Sequence, residues 1–390
     1  MSATVTADTL TPRATVALSI ASTLSWLPMS VLPFEVSTIA DDYAFGTTGA
    51  GWTATGELLV LAVTAAWLGR SIDSRDKRAL SVLGVLVASA ASVGSIGAHS
   101  IIALVLSRLM VGLGCGMIAA ATNALPTLHR KPERVFAYMQ ITLGVQFGLA
   151  NYAMGIASGL GRERLFSVEL AFLVILGVGA LLLPSGVRRT NDQSMQPTED
   201  RGISKAVLAS VASLALLWAS LQASWSFAEQ AATARGLTEK SLIMWFTISG
   251  LIGPGGGIAA AALGERFGYW MPLTVGFATQ WVSAIAMYCM GGYYTYVVGI
   301  LLFNAPIAFT TTYLLGLLAV LDKTGRGASI GGAAANFGGA IGPLLGVVAL
   351  SVPHLSSVGA IAALLLLIAW GVCTSAARGL PAPVEVRPVG

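Results

Sequence analysis

The sequence has 390 residues, of which 55% are hydrophobic and only 10% charged, and it carries a formal net charge of +4. A soluble domain has about a quarter of its residues charged, so this composition excludes an ordinary soluble protein and places the chain in lipid. The basic residues are scattered through short loops instead of lining one face, which argues against nucleic acid as a partner.

The apolar residues run continuously for about 20 positions at a time, the length at which an α-helix crosses the hydrocarbon of a bilayer. They do not alternate as the strands of a membrane barrel would. In chain order, spans are expected near 15–38, 49–69, 79–98, 101–125, 133–158 and 165–184, then near 204–229, 239–262, 271–290, 294–320, 328–351 and 356–377. The first run is too long for a signal-peptide core and is expected to be retained. The longest polar interruption, Pro184 to Lys205, falls between the sixth and seventh spans. It divides the chain into a tail 1–14, a six-helix bundle 15–184, a linker 185–203, a second six-helix bundle 204–377 and a tail 378–390. Two equal halves of this kind suggest an internal duplication with a solute site between them near the midplane.

Positive residues in short loops stay cytoplasmic. With an even number of spans, 17 of the 22 Lys and Arg fall on the side of the termini, and only Arg162, Arg164, Arg235 and Lys240 fall in loops on the other side. Both termini are therefore expected in the cytoplasm, in a plasma (inner) membrane.

Cys115, Cys289 and Cys373 lie in three different apolar runs, and His99, His129 and His354 on three different segments. Neither a disulfide framework nor a metal site is expected. No phosphate-binding GxxxxGK[ST] loop occurs, so nucleotide drive is not expected, and no cofactor is assigned. A membrane-embedded enzyme lacks its constellation of nucleophile and acid/base groups, and a channel lacks a ring of charges or a filter repeat.

The loop after the second span reads Gly69-Arg-Ser-Ile-Asp73-Ser-Arg75-Asp-Lys77-Arg78. As chemistry it is a tight turn in which a glycine permits close approach, an acid faces a helix start and several cations sit together. Its spacing resembles the signature Gly-x-x-x-Asp-Arg-x-Gly-Arg/Lys-Arg/Lys of the major facilitator superfamily, with Gly69, Asp73, Lys77 and Arg78 in place. Ser74 replaces an Arg and Asp76 a Gly, and Arg75 stands where it can substitute for the missing Arg. A weaker copy follows the eighth span as Gly264-Glu265-Arg266-Phe267-Gly268. In the fourth span, Arg108 followed by Gly112, Gly114 and Gly116 resembles the second signature of the same family. Asp322-Lys-Thr-Gly325-Arg326 and Gly338-x-x-x-Gly342-Pro343-x-x-Gly346 resemble its efflux branch, although the fifth span has Gly144, Gly148 and Gly155 and no proline. The resemblance implies an all-α membrane fold of 12 helices in two pseudo-symmetric bundles. It implies a secondary transporter and no enzyme.

A charge inside a span is costly unless it is paired or faces water. Arg108 is one such charge; the resemblance places it beside the central cavity and gives it an influence on proton coupling, while snorkelling to the interface is the competing reading. Glu57 lies at similar depth in the second span and Glu35 in the outer third of the first, just after Pro28 and Pro33. Either is a candidate partner of Arg108 and proton carrier, against the reading of a hydrated interfacial acid. Glu169 and Glu229 are read as solvated groups near the external ends, with Glu229 a candidate for the mouth. Gln146, Gln222, Asn304 and Asn336 offer donors and acceptors to a solute or, equally, bonds between helices. Trp26 and Trp225 are candidate apolar walls, with Arg108 a candidate contact for an anionic group.

The resemblance makes Gly69, Asp73, Arg75, Lys77, Arg78, Glu265 and Arg266 a conformational gate, with Asp73 facing the start of the eleventh span. Glycines of the fifth, eighth and eleventh spans, Gly256 and Gly339 among them, are expected to let helices slide. The expected partners are a small-molecule substrate, protons and membrane lipid, with the protein a monomer. Export of a small organic or amphipathic solute by alternating access, coupled to protons, is the first reading; proton-coupled uptake of an organic acid is the second.

Overall fold

The computed structural model describes residues 11–42, 46–126, 132–185, 204–264, 266–322, 326–352 and 354–377. The connection 186–203, both tails and Glu265 lie outside the described residues. The first half contains α1 (Pro12–Thr23), α2 (Leu27–Asp42), α3 (Gly46–Gly69), α4 (Lys77–Ile96), α5 (Ile101–Ala124), α6 (Pro132–Ser158) and α7 (Arg162–Leu181). The second contains α8 (Lys205–Ser226), α9 (Ala228–Ala234), α10 (Glu239–Leu263), α11 (Trp270–Tyr288), α12 (Tyr293–Leu301), α13 (Asn304–Leu321), α14 (Arg326–Ala349) and α15 (Ser356–Ala377). Each of the 12 expected spans is occupied by helix, and among the described residues 10 helical segments are long and apolar enough on their own to cross a bilayer.

Three spans are broken, which the hydropathy pattern does not reveal. The first span divides at a 3₁₀ turn, Leu24–Trp26, between α1 and α2. Pro28 has no N–H for the Leu24 carbonyl, which accepts instead from the Leu27 N–H one residue earlier. The seventh span breaks at Phe227 between α8 and α9. Tyrosines from neighbouring helices brace the break: Tyr288 Oη donates to Ser224 O, a carbonyl freed in the last turn of α8, and Tyr296 Oη donates to Ala228 O at the start of α9 at 2.6 Å. The tenth span breaks between α12 and α13, where Ser249 Oγ donates to Ile300 O at 2.5 Å and Asn304 Nδ2 donates to Ser249 Oγ at 2.8 Å.

The two halves repeat one packing plan. α5 packs on α3 and α4 and α4 on α7, as the broken span α12–α13 packs on α10 and α11 and α11 on α15. α1 packs on α6 and α7 as α8 packs on α14 and α15. The bundles meet through two symmetry-related pairs, α6 with α10 and α3 with α14.

These contacts are concentrated at one end. Gly155, Gly148 and Gly144 of α6 lie against Ile243, Leu251 and Pro254 of α10, and Gly51 of α3 lies against Val347 of α14. Rings from both bundles interlock there, Phe34 with Phe246 at 5.7 Å and Phe147 with Trp225 at 5.3 Å between centroids. Following the same face of α10 one turn further, Gly257 has open space around it, as Gly332 does on α14. The bundles are thus closed at the end that carries the α2–α3 and α9–α10 turns, and they part toward the end that carries the 70–76 loop.

Candidate functional site

The glycines after Arg108 decide where its side chain goes. A β-carbon at Gly112 would overlap the backbone of Glu57, one at Gly116 would lie 2.6 Å from Leu61 O, and one at Gly114 would meet Gly84 and Ala88 of α4. Only hydrogen at these positions lets α5 approach α3 and α4 so closely. That approach sets Arg108 and Glu57 side by side.

Arg108 is fully buried, and three carboxylates that are each 1% exposed surround it: Glu35 of α2, Glu57 of α3 and Glu169 of α7. Nε and Nη2 donate to the two oxygens of Glu57 at 2.9 and 2.8 Å. Nη1 and Nη2 donate to Glu169 Oε2 and Oε1 at 2.6 and 3.0 Å. These are two forked pairs of the kind a planar guanidinium makes best. Nη2 also donates to Glu35 Oε2 at 3.1 Å. Glu35 Oε1 lies 2.8 Å from Nε, whose one proton already goes to Glu57, and it accepts no hydrogen bond. Ser92 Oγ of α4 donates to Glu169 Oε2 at 3.2 Å, and the Phe166 ring covers the guanidinium at 5.0 Å. The crevice beside the cluster, lined by Val31, Met154, Leu165 and Phe166, is too narrow to admit a water molecule.

Two expectations are corrected by this geometry. Glu169 is not a solvated end group; it sits as many residues inside α7 as Arg108 sits inside α5, starting from the same end. That equality of depth was the signal in the sequence, and the charged Arg162 and Arg164 nearby hid it. Arg108 is not available to a solute in this state, because its donors are occupied by carboxylates and no part of it is exposed.

The remaining expected solute contacts gather elsewhere, between the bundles. Trp26 packs on Trp218 at 5.4 Å, and Gly339 of α14 faces Gln222, Met29 and Trp218. Gln146 Nε2 donates to Ser30 Oγ at 3.3 Å. Trp225 sits among Phe147, Phe246 and Phe303. Gln146 Oε1, Trp218 Nε1 and Trp225 Nε1 are buried and have no hydrogen-bond partner among the described residues. Asn304 is spent on Ser249 at the break of the tenth span, and Asn336 is half-buried on α14. Glu229 is half-buried on α9, with Oε2 unpartnered.

In the loop after α3, Gly69 has open space where a β-carbon would go, so close approach is not its role. Asp76, which replaces the signature glycine, caps α4 by accepting from Arg78 N and Ala79 N at 2.9 and 3.1 Å. Arg75 is exposed, donates to Ser71 Oγ at 3.0 Å and lies over the Trp67 ring. Lys77 is buried and reaches Ile72 O at 3.4 Å, whereas Arg78 and Arg266 are exposed. The Asp73 side chain and Glu265 lie outside what is described. The acid seen at the start of α14 is Asp322, whose Oδ2 accepts from Gly327 N at 2.6 Å.

Residues 18–322, most of the chain, match the Major Facilitator Superfamily. The chain belongs to that superfamily. Its major facilitator fold is also found in a crystal structure of a D-xylose–proton symporter, with a TM-score of 0.72, 15% identity, and coverage of 92% of this chain and 97% of that one. A nucleoside transporter structure gives a TM-score of 0.70 at 14% identity, covering 93% and 98%. A bacterial homologue of the human lysosomal transporter Spinster, in an inward-facing and unoccupied conformation, gives 0.61 at 13% identity, covering 94% and 96%. No curated protein sequence matches this one. Membership makes the chain a multi-pass membrane transporter and not an enzyme, and it accounts for the two bundles and for the signature residues around Arg108.

Proposed function

We propose that this major facilitator protein exports a small organic solute in exchange for protons. The bundles formed by 15–184 and 204–377 rock about a site walled by Trp26, Gln146, Gln222, Trp225 and Asn336, with both termini in the cytoplasm of a plasma (inner) membrane. The observation that carries the proposal is the dry cluster of Glu35, Glu57 and Glu169 on Arg108. Acids in excess over one fixed cation hold protons while sealed and lose them when water reaches the site.

Phe34, adjacent to Glu35, supports a link to the solute cycle, because it packs on Phe246 across the closed end. Opening that end pulls on the helix that carries Glu35. The 69–78 loop with Arg266 latches the opposite end when it closes. The protein works as a monomer, each copy holding a complete pathway between its own bundles. The solute is uncharged or cationic, since the one buried cation among the candidate contacts is already neutralised by acids. This also weighs against uptake of an organic acid through Arg108.

The second reading is proton symport on the same site, favoured by the likeness to a D-xylose–proton symporter. Proteoliposomes loaded with a pH dye and with each candidate solute, then diluted, distinguish the two whichever way the protein inserts. Solute leaving by exchange acidifies the lumen, and solute leaving with protons makes it alkaline. No proton movement with any transported solute, or full movement in Glu57→Gln, overturns proton coupling through this cluster.

A further inference from the structure

Accepting the Arg108 cluster as the proton site, its geometry sets how many protons it holds. The charged groups facing Arg108 are Glu35 from α2, Glu57 from α3 and Glu169 from α7. α5 adds the thiol of Cys115, α4 the neutral Ser92, and α6 the apolar Met154. With all three acids ionised, two negative charges would stand unbalanced in a site closed to water.

The hydrogen bonds show where the imbalance lies. Glu169 has both oxygens on Arg108 and a third bond from Ser92. Glu57 likewise has both oxygens on Arg108. Glu35 has a single bond at 3.1 Å, and its Oε1 is buried with no donor aimed at it. Glu35 and Glu57 crowd the same edge of the guanidinium: both accept from Nη2, at 3.1 and 2.8 Å, and both have an oxygen within 2.9 Å of Nε. Two ionised carboxylates so placed repel, whereas a proton between them turns repulsion into a hydrogen bond.

We propose that the cluster holds two exchangeable protons while the end near Phe34 is closed, and that Glu169 is the standing counter-ion of Arg108. One proton is shared by Glu35 and Glu57; the second neutralises what charge remains. Glu35, the least firmly bound acid and the neighbour of Phe34, gives up its proton first when the closed end opens. Each turnover then moves two protons, and exchange against a neutral solute or a univalent cation carries net charge across the membrane.

The test counts protons and needs no solute. Full-length protein in a Glu229→Gln background, which removes the half-buried acid of α9 whose Oε2 has no partner among the described residues, is examined at neutral pH by infrared spectroscopy in the carbonyl stretch of un-ionised carboxyl groups. The expected intensity is that of two groups. It falls to one in Glu35→Gln and to none in Glu35→Gln/Glu169→Gln, where the single acid left matches Arg108. Melting curves and gel filtration identify any variant that misfolds, and the count in the unsubstituted cluster then decides alone. Intensity for one group or none overturns the proposal, as does an unchanged band in a folded Glu35→Gln protein. A count of two without proton flux in proteoliposomes refutes the transport reading and leaves this one standing; proton-coupled flux with a count of one does the reverse.

Discussion

Gly144 of α6 faces Pro254 of α10 so closely that a β-carbon on the glycine would overlap Cγ and Cδ of the proline ring. The two residues belong to different bundles, and the contact exists only while the bundles are closed at that end. Gly148 repeats it one turn along, where a β-carbon would lie 2.6 Å from Leu251 Cγ. Gly144→Val is therefore a wedge. Overpacking of this kind costs about 1–3 kcal/mol, enough to shift a two-state equilibrium roughly 5–150-fold. Spin labels at the exposed positions Ile102 and Tyr294, at the closed end of opposite bundles, should report longer distances in the variant. An unchanged distance distribution would mean that this contact does not limit closure.

Replacing Arg108 tests the cluster as architecture. Arg108→Lys keeps one charge and loses both forks, and Arg108→Ala leaves three buried acids without a cation. Removing one partner of a buried pair costs about 3–5 kcal/mol, so the alanine variant should melt well below the parent in detergent, with lysine between them. Acidification should narrow the gap by neutralising the charge that then lacks its counter-ion. Equal melting temperatures for all three proteins would show that the cluster contributes nothing to the fold.

Much of this was legible before the structure, because its causes are local. Lipid demands runs of apolar residues, and an arginine inside a span demands acids, so the span order and the candidacy of Glu35 and Glu57 followed from the chain alone. Glu169 did not, since depth was judged from the charged loop beside it and not by counting turns along the helix. The breaks in the seventh and tenth spans were hidden for another reason. What permits them is captured carbonyls, and Tyr288 and Tyr296 come from helices some 60 residues away in sequence. The role of Asp76, which stands where the signature has a glycine, was not legible either: in three dimensions it is a helix cap.

The broken seventh span gives a prediction of its own. Tyr296→Phe keeps the ring and deletes the buried hydrogen bond to Ala228 O at the start of α9. The expected loss is about 0.5–1.5 kcal/mol, visible as a lower melting temperature, with amide exchange speeding up first in residues 224–234. Exchange that rises evenly across the protein would mean that the tyrosine braces the bundle as a whole and not the break.

Glycines that look alike in the sequence separate into two kinds. A β-carbon at Gly256 would fall on the carbonyl of Ala305, inside the second bundle between α10 and α13, so this glycine permits close packing within one bundle. Even Gly256→Ala must push α13 away, and the protein should lose stability. At Gly339 a β-carbon would meet Gln222 and Met29 at an ordinary 3.6 Å, with Trp218 just beyond. Gly339→Ala should fold normally, while Gly339→Leu places a side chain in the space that the proposed solute occupies between the bundles. A solute that raises the melting temperature of the parent should do so in Gly339→Ala and not in Gly339→Leu. The infrared count at Arg108 should be the same in all three, because α14 contributes nothing to that cluster. Solute stabilisation that survives in a folded Gly339→Leu protein would move the binding site away from Trp26, Trp218 and Gln222.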